Sequence, residues 1–338
     1  MIELDGSHGE GGGQVLRTAL SLSVLTGKGF RMENIRAGRD DPGLRPQHLA
    51  GIRLMNEISS AEVTGDQIGS DSLEFHPGQM RGGRYRFDIG TAGSLTLLMQ
   101  TVLPALVVSP IETELELIGG TDVRWSPPID HYAQVLFPIL RLMGARLEMN
   151  AKRRGFYPQG GGAVHLKVSG GKIGGFGPQQ RGELRRVLGT AFVQNLPAKV
   201  GERLMQGART GLPGVDLDIT LNVSSGASTG AGVALAAEYE NTVLGWNSLG
   251  EQGVAAERVG RVAAAGLMEE MEGGGILDVH TADQLLPFMA MANEGSCFTV
   301  REISGHLRTQ MWLVPQFVPI DLRIGEGSPY LIEVINRT

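Results

Sequence analysis

A glycine-rich loop close to the N-terminus contains the first residues that could do chemistry. Residues 9–14 (GEGGGQ) separate a short apolar segment from a stretch with helical periodicity. Glycines between a strand and a helix let the backbone approach a ligand, and a helix N-terminus favours an anion. The Glu10 carboxylate would repel a bare phosphate, so it fits only if a divalent cation bridges it to phosphate oxygens. The loop therefore indicates either a metal-bridged phosphate site or an ordinary turn with a solvated carboxylate.

Arginines follow this loop at positions that could bring them to the same place. Arg17 lies one to two turns into the first predicted helix, Arg36 and Arg39 follow the next strand, and Gln47 opens the next helix. Arginine binds phosphate through two N–H groups and keeps its charge. If the first two strand–loop–helix connections share one edge of the sheet, these side chains converge with Glu10. The pattern then predicts a polyanion site with a metal, and ordinary surface arginines are the alternative.

A histidine near the C-terminus is the candidate nucleophile. His306 follows an apolar strand, and a neutral imidazole is a competent nucleophile toward phosphorus. Asp283 and Gln284 lie in the preceding helix, so we expect the Asp283 carboxylate to orient the imidazole. A single histidine is more often structural, so this assignment depends on the polar residues around it.

These residues belong to a chain in which short strand-like and helix-like runs alternate. The alternation predicts three units of two strand–helix pairs followed by two strands. The third unit is interrupted by residues 178–275, which we interpret as an inserted smaller domain between glycine-rich linkers. The large domain then comprises residues 1–177 and 276–338. The helix after the first loop is predicted to be amphipathic, with a polar face formed by Gln14, Arg17, Thr18 and Ser21.

Composition and missing motifs exclude several classes of protein. The chain has 338 residues and a net charge of -6, which argues against a general nucleic-acid-coating protein. Cys297 is the only cysteine, so no intrachain disulfide and no multi-cysteine metal site can form. The sequence contains no P-loop and no HExxH motif. The acidic N-terminus and the absence of long apolar runs predict a cytoplasmic protein that does not enter membranes.

Six sequence blocks, taken together and in this order, resemble the RNA 3′-terminal phosphate cyclase family over essentially the whole chain. The blocks are residues 9–14 (GEGGGQ), 36–39 (RAGR), 43–48 (GLRPQH), 119–122 (GGTD), 154–162 (RGFYPQGGG) and 282–284 (ADQ). The resemblance implies an α+β fold with a large domain of three repeated βαβαββ-type units, as in enolpyruvyl transferases. It also implies a smaller inserted α/β domain that resembles the C-terminal half of translation initiation factor three.

The resemblance further implies a ligase-type enzyme of RNA processing. Members of this family use ATP and Mg²⁺ or Mn²⁺ to convert an RNA 3′-phosphate into a 2′,3′-cyclic phosphate. A histidine attacks the α-phosphate of ATP, AMP passes to the RNA 3′-phosphate, and the 2′-OH then expels AMP. RNA 3′-phosphate ends are therefore the expected partner, and the sequence leaves the choice between a monomer and a homodimer open.

Site residues follow from the same resemblance. His306 matches the nucleophile and Glu10 the metal-binding carboxylate. Seven residues match ATP- and phosphate-binding or other polar active-site positions: Arg17, Arg36, Arg39, Gln47, Gln100, Asp283 and Gln284. Three residues are the candidate adenine contacts: Pro127, Trp246 and His280, the last standing where some relatives have an aromatic residue.

Two alternatives are weighed against this interpretation. A non-catalytic ribosome-assembly branch of the family lacks the histidine nucleophile, whereas His306 is present here. An enolpyruvyl transferase on the same architecture would need no such histidine, and it would leave the block at residues 154–162 unexplained.

Overall fold

The computed structural model describes residues 1–336, and its first unit is a four-stranded sheet with two helices. The elements are β1 (Ile2–Asp5), α1 (Gln14–Thr26), β2 (Phe30–Glu33), α2 (Pro46–Ser59), β3 (Glu62–Thr64) and β4 (Leu73–His76). The strand order is β1-β2-β4-β3, in which β1 and β2 are parallel and the other two pairs are antiparallel. Glycine-rich residues 9–13 thus connect the first strand to the first helix.

The second unit repeats this topology. Its elements are β5 (Gly83–Asp88), α3 (Leu95–Val108), β6 (Glu112–Gly119), α4 (Ile129–His131), a π-helical turn (Tyr132–Leu136), α5 (Phe137–Leu142), β7 (Arg146–Arg153) and β8 (Gly162–Ser169). The strand order is β5-β6-β8-β7, again with one parallel pair followed by two antiparallel pairs.

The segment that follows has a different sheet and its own core. It contains β9 (Leu184–Gln194), α6 (Ala198–Gly211), β10 (Leu217–Ser224), β11 (Gly230–Tyr239), β12 (Val243–Leu249) and α7 (Ala256–Glu272). The strand order is β10-β9-β11-β12, and β11 is antiparallel to both of its neighbours. Buried apolar residues of the sheet and both helices form a cluster separate from the main core. The domain boundaries at 178 and 275 stay a prediction.

The third unit has lost most of its first strand. Its elements are α8 (Val279–Ala290), β13 (Ser296–Val300), α9 (Gly305–Phe317), β14 (Ile320–Ile324) and β15 (Tyr330–Asn336). The strand order is β13-β15-β14, and a single parallel bridge between Leu277 and Val300 takes the place of the missing strand. With Leu277 counted, the order and directions equal those of the other two units. The predicted α+β fold with three repeated units is confirmed.

Helix α1 differs from its prediction. It packs against α2, α3 and α9, so both of its faces are buried along most of its length. The polar face bonds to neighbouring helices: Thr18 Oγ1 accepts a hydrogen bond from Gln310 at 2.9 Å, and Ser21 Oγ accepts one from the Ala105 amide at 3.1 Å. The amphipathic prediction was wrong about the environment of α1, which is a central helix. Within residues 1–336, no helix combines the length and the apolar character needed to cross a membrane.

Candidate active site

Loops and helix N-termini from all three units open onto one cavity of about 710 Å³. The cavity brings together eleven of the twelve candidate site residues. These are Glu10, Arg17, Arg36, Arg39, Gln47, Gln100, Pro127, His280, Asp283, Gln284 and His306. Trp246, a candidate adenine contact, does not line the cavity. It packs behind His280, with 4.8 Å between the two ring centroids.

The shortest polar contact of the candidate nucleophile joins the first unit to the third. His306 is the second residue of α9, whose N-terminus is capped by Ser304. Its Nδ1 lies 2.9 Å from Oε2 of Glu10, in the loop before α1. When Nδ1 carries the proton and donates a hydrogen bond to this carboxylate, Nε2 keeps the lone pair that a nucleophile needs. The carboxylate in contact with the ring is thus that of Glu10, whereas the sequence predicts Asp283 in this role.

Arg17 and Asp283 are two ionisable groups that lie beside this contact and are largely withdrawn from solvent. Arg17 Nε donates a hydrogen bond to Oε1 of Gln100 at 2.8 Å, and burial lowers the pKa of Arg17 to about 10. Asp283 is 4% exposed, and burial raises its pKa well above the usual range although Arg17 opposes the shift. Arg17 therefore remains a cation at neutral pH, and Asp283 is the carboxyl group of this site that most readily holds a proton.

The two arginines after β2 have different surroundings. Arg36 adopts a left-handed backbone conformation with φ of 57°, and its Nη1 donates hydrogen bonds to the carbonyls of Asp41 and Gly43. It braces the loop that it belongs to. Arg39 is half-exposed, with Nη2 4.0 Å from Oε2 of Glu10. Arg39 thus presents its charge to the cavity with fewer protein partners than Arg36.

His48 is a cavity residue that the sequence analysis did not assign to the site. Its Nδ1 accepts a hydrogen bond from the Arg45 amide at 3.1 Å, which caps α2. Burial and the nearby charges of Arg17 and Arg36 lower the pKa of His48 to about 3, so its ring is neutral at physiological pH. In the sequence, the only indication of this capping role is the three-residue spacing of Arg45 and His48 at the predicted start of a helix.

Three glutamines of the cavity have buried polar atoms without a partner among residues 1–336. They are Nε2 of Gln14, Oε1 of Gln47 and Oε1 of Gln284. The other amide atoms of two of them are occupied, because Gln47 donates to the Ser94 carbonyl and Gln284 to the His280 carbonyl. A buried polar atom without a partner costs about 1–3 kcal/mol. A polar ligand of the size of a nucleotide would satisfy these atoms, so the residues fit ATP.

The acidic residues fit a divalent cation only together with a ligand. Within the described part of the chain, no group of three or more His, Cys, Asp or Glu side chains is arranged to hold a metal ion. Mg²⁺ is often bound through one or two carboxylates, substrate phosphates and water. Glu10 therefore fits a cation that enters with a polyphosphate and does not fit a resident protein cage.

Pro127 and His280, two of the candidate adenine contacts, also line the cavity. Burial lowers the pKa of His280, which keeps the ring neutral and suited to stacking. Trp246 supports this ring from behind. His8 is a further cavity residue outside the predicted set, and its ring stacks on Trp312 with 3.8 Å between centroids.

Comparisons with known proteins identify the family of this chain. A sequence model described as RNA 3′-terminal phosphate cyclase matches residues 8–324. The chain is 45% identical to the RNA 3′-terminal phosphate cyclase of Archaeoglobus fulgidus, over 98% of this chain and 100% of that protein. It is 41% identical to the protein of the same name from Metallosphaera sedula, over 99% of both chains. The solved EPSP synthase of Acinetobacter baumannii is 13% identical, with a TM-score of 0.32 over 95% of this chain and 62% of that one. Because the family match spans nearly all residues and these relatives exceed 40% identity over their full lengths, the chain belongs to the RNA 3′-terminal phosphate cyclase family.

Proposed function

We propose that this enzyme converts RNA 3′-phosphate ends into 2′,3′-cyclic phosphates in an ATP-dependent reaction that passes through AMP bound to His306. The contact of 2.9 Å between His306 Nδ1 and Glu10 Oε2 carries the proposal. It holds the ring in one orientation and leaves Nε2 as the nitrogen that can attack. Membership of the cyclase family supplies the substrate class.

In the first step, Nε2 attacks the α-phosphorus of ATP. A nitrogen–phosphorus bond forms, the bond from the α-phosphorus to the bridging oxygen breaks, and pyrophosphate leaves. The imidazole gains positive charge as the bond forms, and the Glu10 carboxylate stabilises that charge through Nδ1–H. Arg17 and Arg39 stabilise the negative charge that spreads over the phosphate oxygens.

The second and third steps take place at the RNA end. An oxygen of the RNA 3′-phosphate attacks the phosphorus of the bound AMP, the nitrogen–phosphorus bond breaks, and His306 returns to its neutral form. The neighbouring 2′-oxygen then attacks the activated 3′-phosphorus, its proton passes to solvent or to a base, and AMP leaves. Only RNA carries this 2′-OH, so a DNA end cannot complete the reaction.

A divalent cation would neutralise charge on the triphosphate, and Glu10 is the carboxylate placed to hold it. Asp283 has a different role from the metal-binding role of Glu10. Its raised pKa favours a protonated carboxyl group, which can donate a hydrogen bond to a phosphate oxygen. The proposal includes the cytoplasmic location that the sequence predicts, and it is compatible with either a monomer or a homodimer.

The test is incubation with α-labelled ATP and Mg²⁺, followed by a denaturing gel. Wild type should retain an acid-labile, alkali-stable label, and His306→Ala should retain none while its unfolding transition is unchanged. His165→Ala is the matched control, because His165 is partly exposed on β8 and pairs with Glu114 at 3.9 Å, outside the cavity. The absence of label on folded wild type would favour the non-catalytic ribosome-assembly alternative.

A further inference from the structure

A second groove, of about 810 Å³, adjoins the active-site cavity. The two share Gln47, Leu97 and Trp125, so the groove opens directly onto the cavity. One wall is built by loops of the second repeated unit, and the other by the ends of β11 and β12.

Trp125 stands where the groove meets the cavity, in a conformation that packing does not explain. Its side chain is 95% exposed, and its backbone φ is 65°. A bulky residue rarely adopts a left-handed conformation, and an exposed indole contributes little to the core. Its neighbour Arg124 forms an ion pair of 2.9 Å with Glu251 on the opposite wall, which holds this loop across the groove. Strain of this kind in a fixed loop points to a ligand.

A second exposed aromatic side chain lines the same groove. Tyr157 is 77% exposed, and it lies in the block at residues 154–162. That loop is anchored by Arg154, which is bonded to Asp130 at 2.7 Å and to Asp122 at 3.2 Å. The groove thus presents two aromatic side chains, each on a loop that an ion pair fixes.

We propose that the groove holds the single-stranded RNA upstream of the reacting 3′ end, with bases stacking on Trp125 and Tyr157. This inference rests on the proposed function, since an RNA whose 3′-phosphate lies at His306 must leave the cavity by an opening. Aromatic faces bind unstacked bases with little sequence preference, which suits an enzyme that acts on ends. The acidic residues of the groove do not oppose a phosphate backbone, because Arg124 and Arg154 neutralise Glu251 and Asp122.

The experiment measures two quantities on the full chain. The first is the affinity for a fluorescein-labelled ten-nucleotide RNA that ends in a 3′-phosphate. The second is the formation of enzyme-bound AMP from ATP alone, which requires no RNA. Trp125→Asn removes the ring and tolerates the left-handed conformation, whereas Trp125→Phe retains an aromatic face. Tyr330→Ala is the matched control, because Tyr330 is a partly exposed aromatic residue at the start of β15, outside the groove.

We expect Trp125→Asn and Tyr157→Ala each to raise the Kd for RNA by about 5- to 150-fold, the range of one lost base stack. Formation of enzyme-bound AMP should stay within about twofold of wild type, and Trp125→Phe should recover most of the RNA affinity.

Three results would overturn the inference. Unchanged RNA affinity in both ring-removing variants would show that the groove holds something else, such as a protein segment. An equal loss of AMP formation and RNA affinity would place Trp125 in the nucleotide site. Wild-type RNA affinity in Trp125→Asn together with a loss of affinity in Trp125→Phe would show that the backbone conformation matters and the aromatic ring does not. If wild type forms no enzyme-bound AMP, the proposed function fails separately, and the Kd comparison still decides the role of the groove.

Discussion

Substitution of Gly305 by alanine tests the contact between Glu10 and His306 without altering either residue. Gly305 is the first residue of α9 and faces the Glu10 side chain. Alanine is a better helix former than glycine by up to about 1 kcal/mol, so the free energy of unfolding should be unchanged or slightly higher. Any loss of activity in Gly305→Ala then reflects the geometry of the site.

The expected size of the effect follows from the distances. A Cβ at position 305 would overlap with Oε1 of Glu10 and lie 3.2 Å from its Cδ and Cγ. To restore ordinary contact, the carboxylate must retreat by roughly 1 Å. The Nδ1–Oε2 distance is now 2.9 Å, so such a retreat breaks the hydrogen bond to His306. Misplacement of this size near a reacting group costs roughly 100-fold in rate.

The assay is the single-turnover rate of AMP transfer to the enzyme at saturating ATP and Mg²⁺. Gly174→Ala is the matched control, because the nearest atom to its new Cβ is the Met143 carbonyl oxygen at 3.8 Å. Glu10→Gln should slow the same step, and the double variant with Gly305→Ala should be no slower than the worse single variant, because both changes break one contact. A wild-type rate in Gly305→Ala would refute the proposed orienting role of Glu10.

Three further predictions concern metal use, pH and stability. Glu10→Ala should raise the Mg²⁺ concentration needed for half-maximal AMP transfer, and an unchanged metal titration would contradict the metal assignment. Burial raises the pKa of Asp283 above 3.8, so just above pH 3.8 the folded state keeps a proton that the unfolded chain has lost. The free energy of unfolding therefore falls as the pH rises from 3.8 through the pKa of the folded state. Urea denaturation from pH 4 to pH 8 should show this fall in wild type but a smaller one in Asp283→Asn. Arg154→Leu leaves the buried carboxylates of Asp122 and Asp130 without their cation. The free energy of unfolding should therefore fall by about 3–5 kcal/mol. A fall of less than about 1 kcal/mol would count against the importance of these ion pairs.

Sequence patterns were sufficient for the repeated units because each unit keeps its own local periodicity. They were less reliable where tertiary packing overrides a local rule. Pro315 would by local rules end helix α9 near Val314, but the helix continues to Phe317. Proline usually ends a helix, because it lacks the N–H donor, yet in the last turn the loss is small.

Loop positions and the family's sequence blocks predict the candidate site residues, but they do not predict which side chains these residues contact. The contact of Glu10 with His306 joins the first loop to the last unit, and no spacing rule connects residues so distant. Trp125 gave no signal in the sequence, because its exposure and its left-handed conformation exist only in the folded chain. Arg154 belongs to the sequence block at residues 154–162, but its buried ion pairs with Asp122 and Asp130 exist only in the folded chain.

The central position of α1 explains how residues from the first and third units meet with atomic precision. Arg17 bonds to Gln100 on α3, Ser21 accepts from the α3 backbone, and Thr18 accepts from Gln310 on α9. A sliding or rotation of α1 would break all three bonds at once, each contributing about 1 kcal/mol, and would leave buried polar groups unpaired. Apolar contacts alone tolerate small shifts, whereas hydrogen bonds to two neighbouring helices select one register. Because α1 begins directly after the Glu10 loop and α9 begins with the His306 turn, that register also fixes the distance between the Glu10 and His306 side chains.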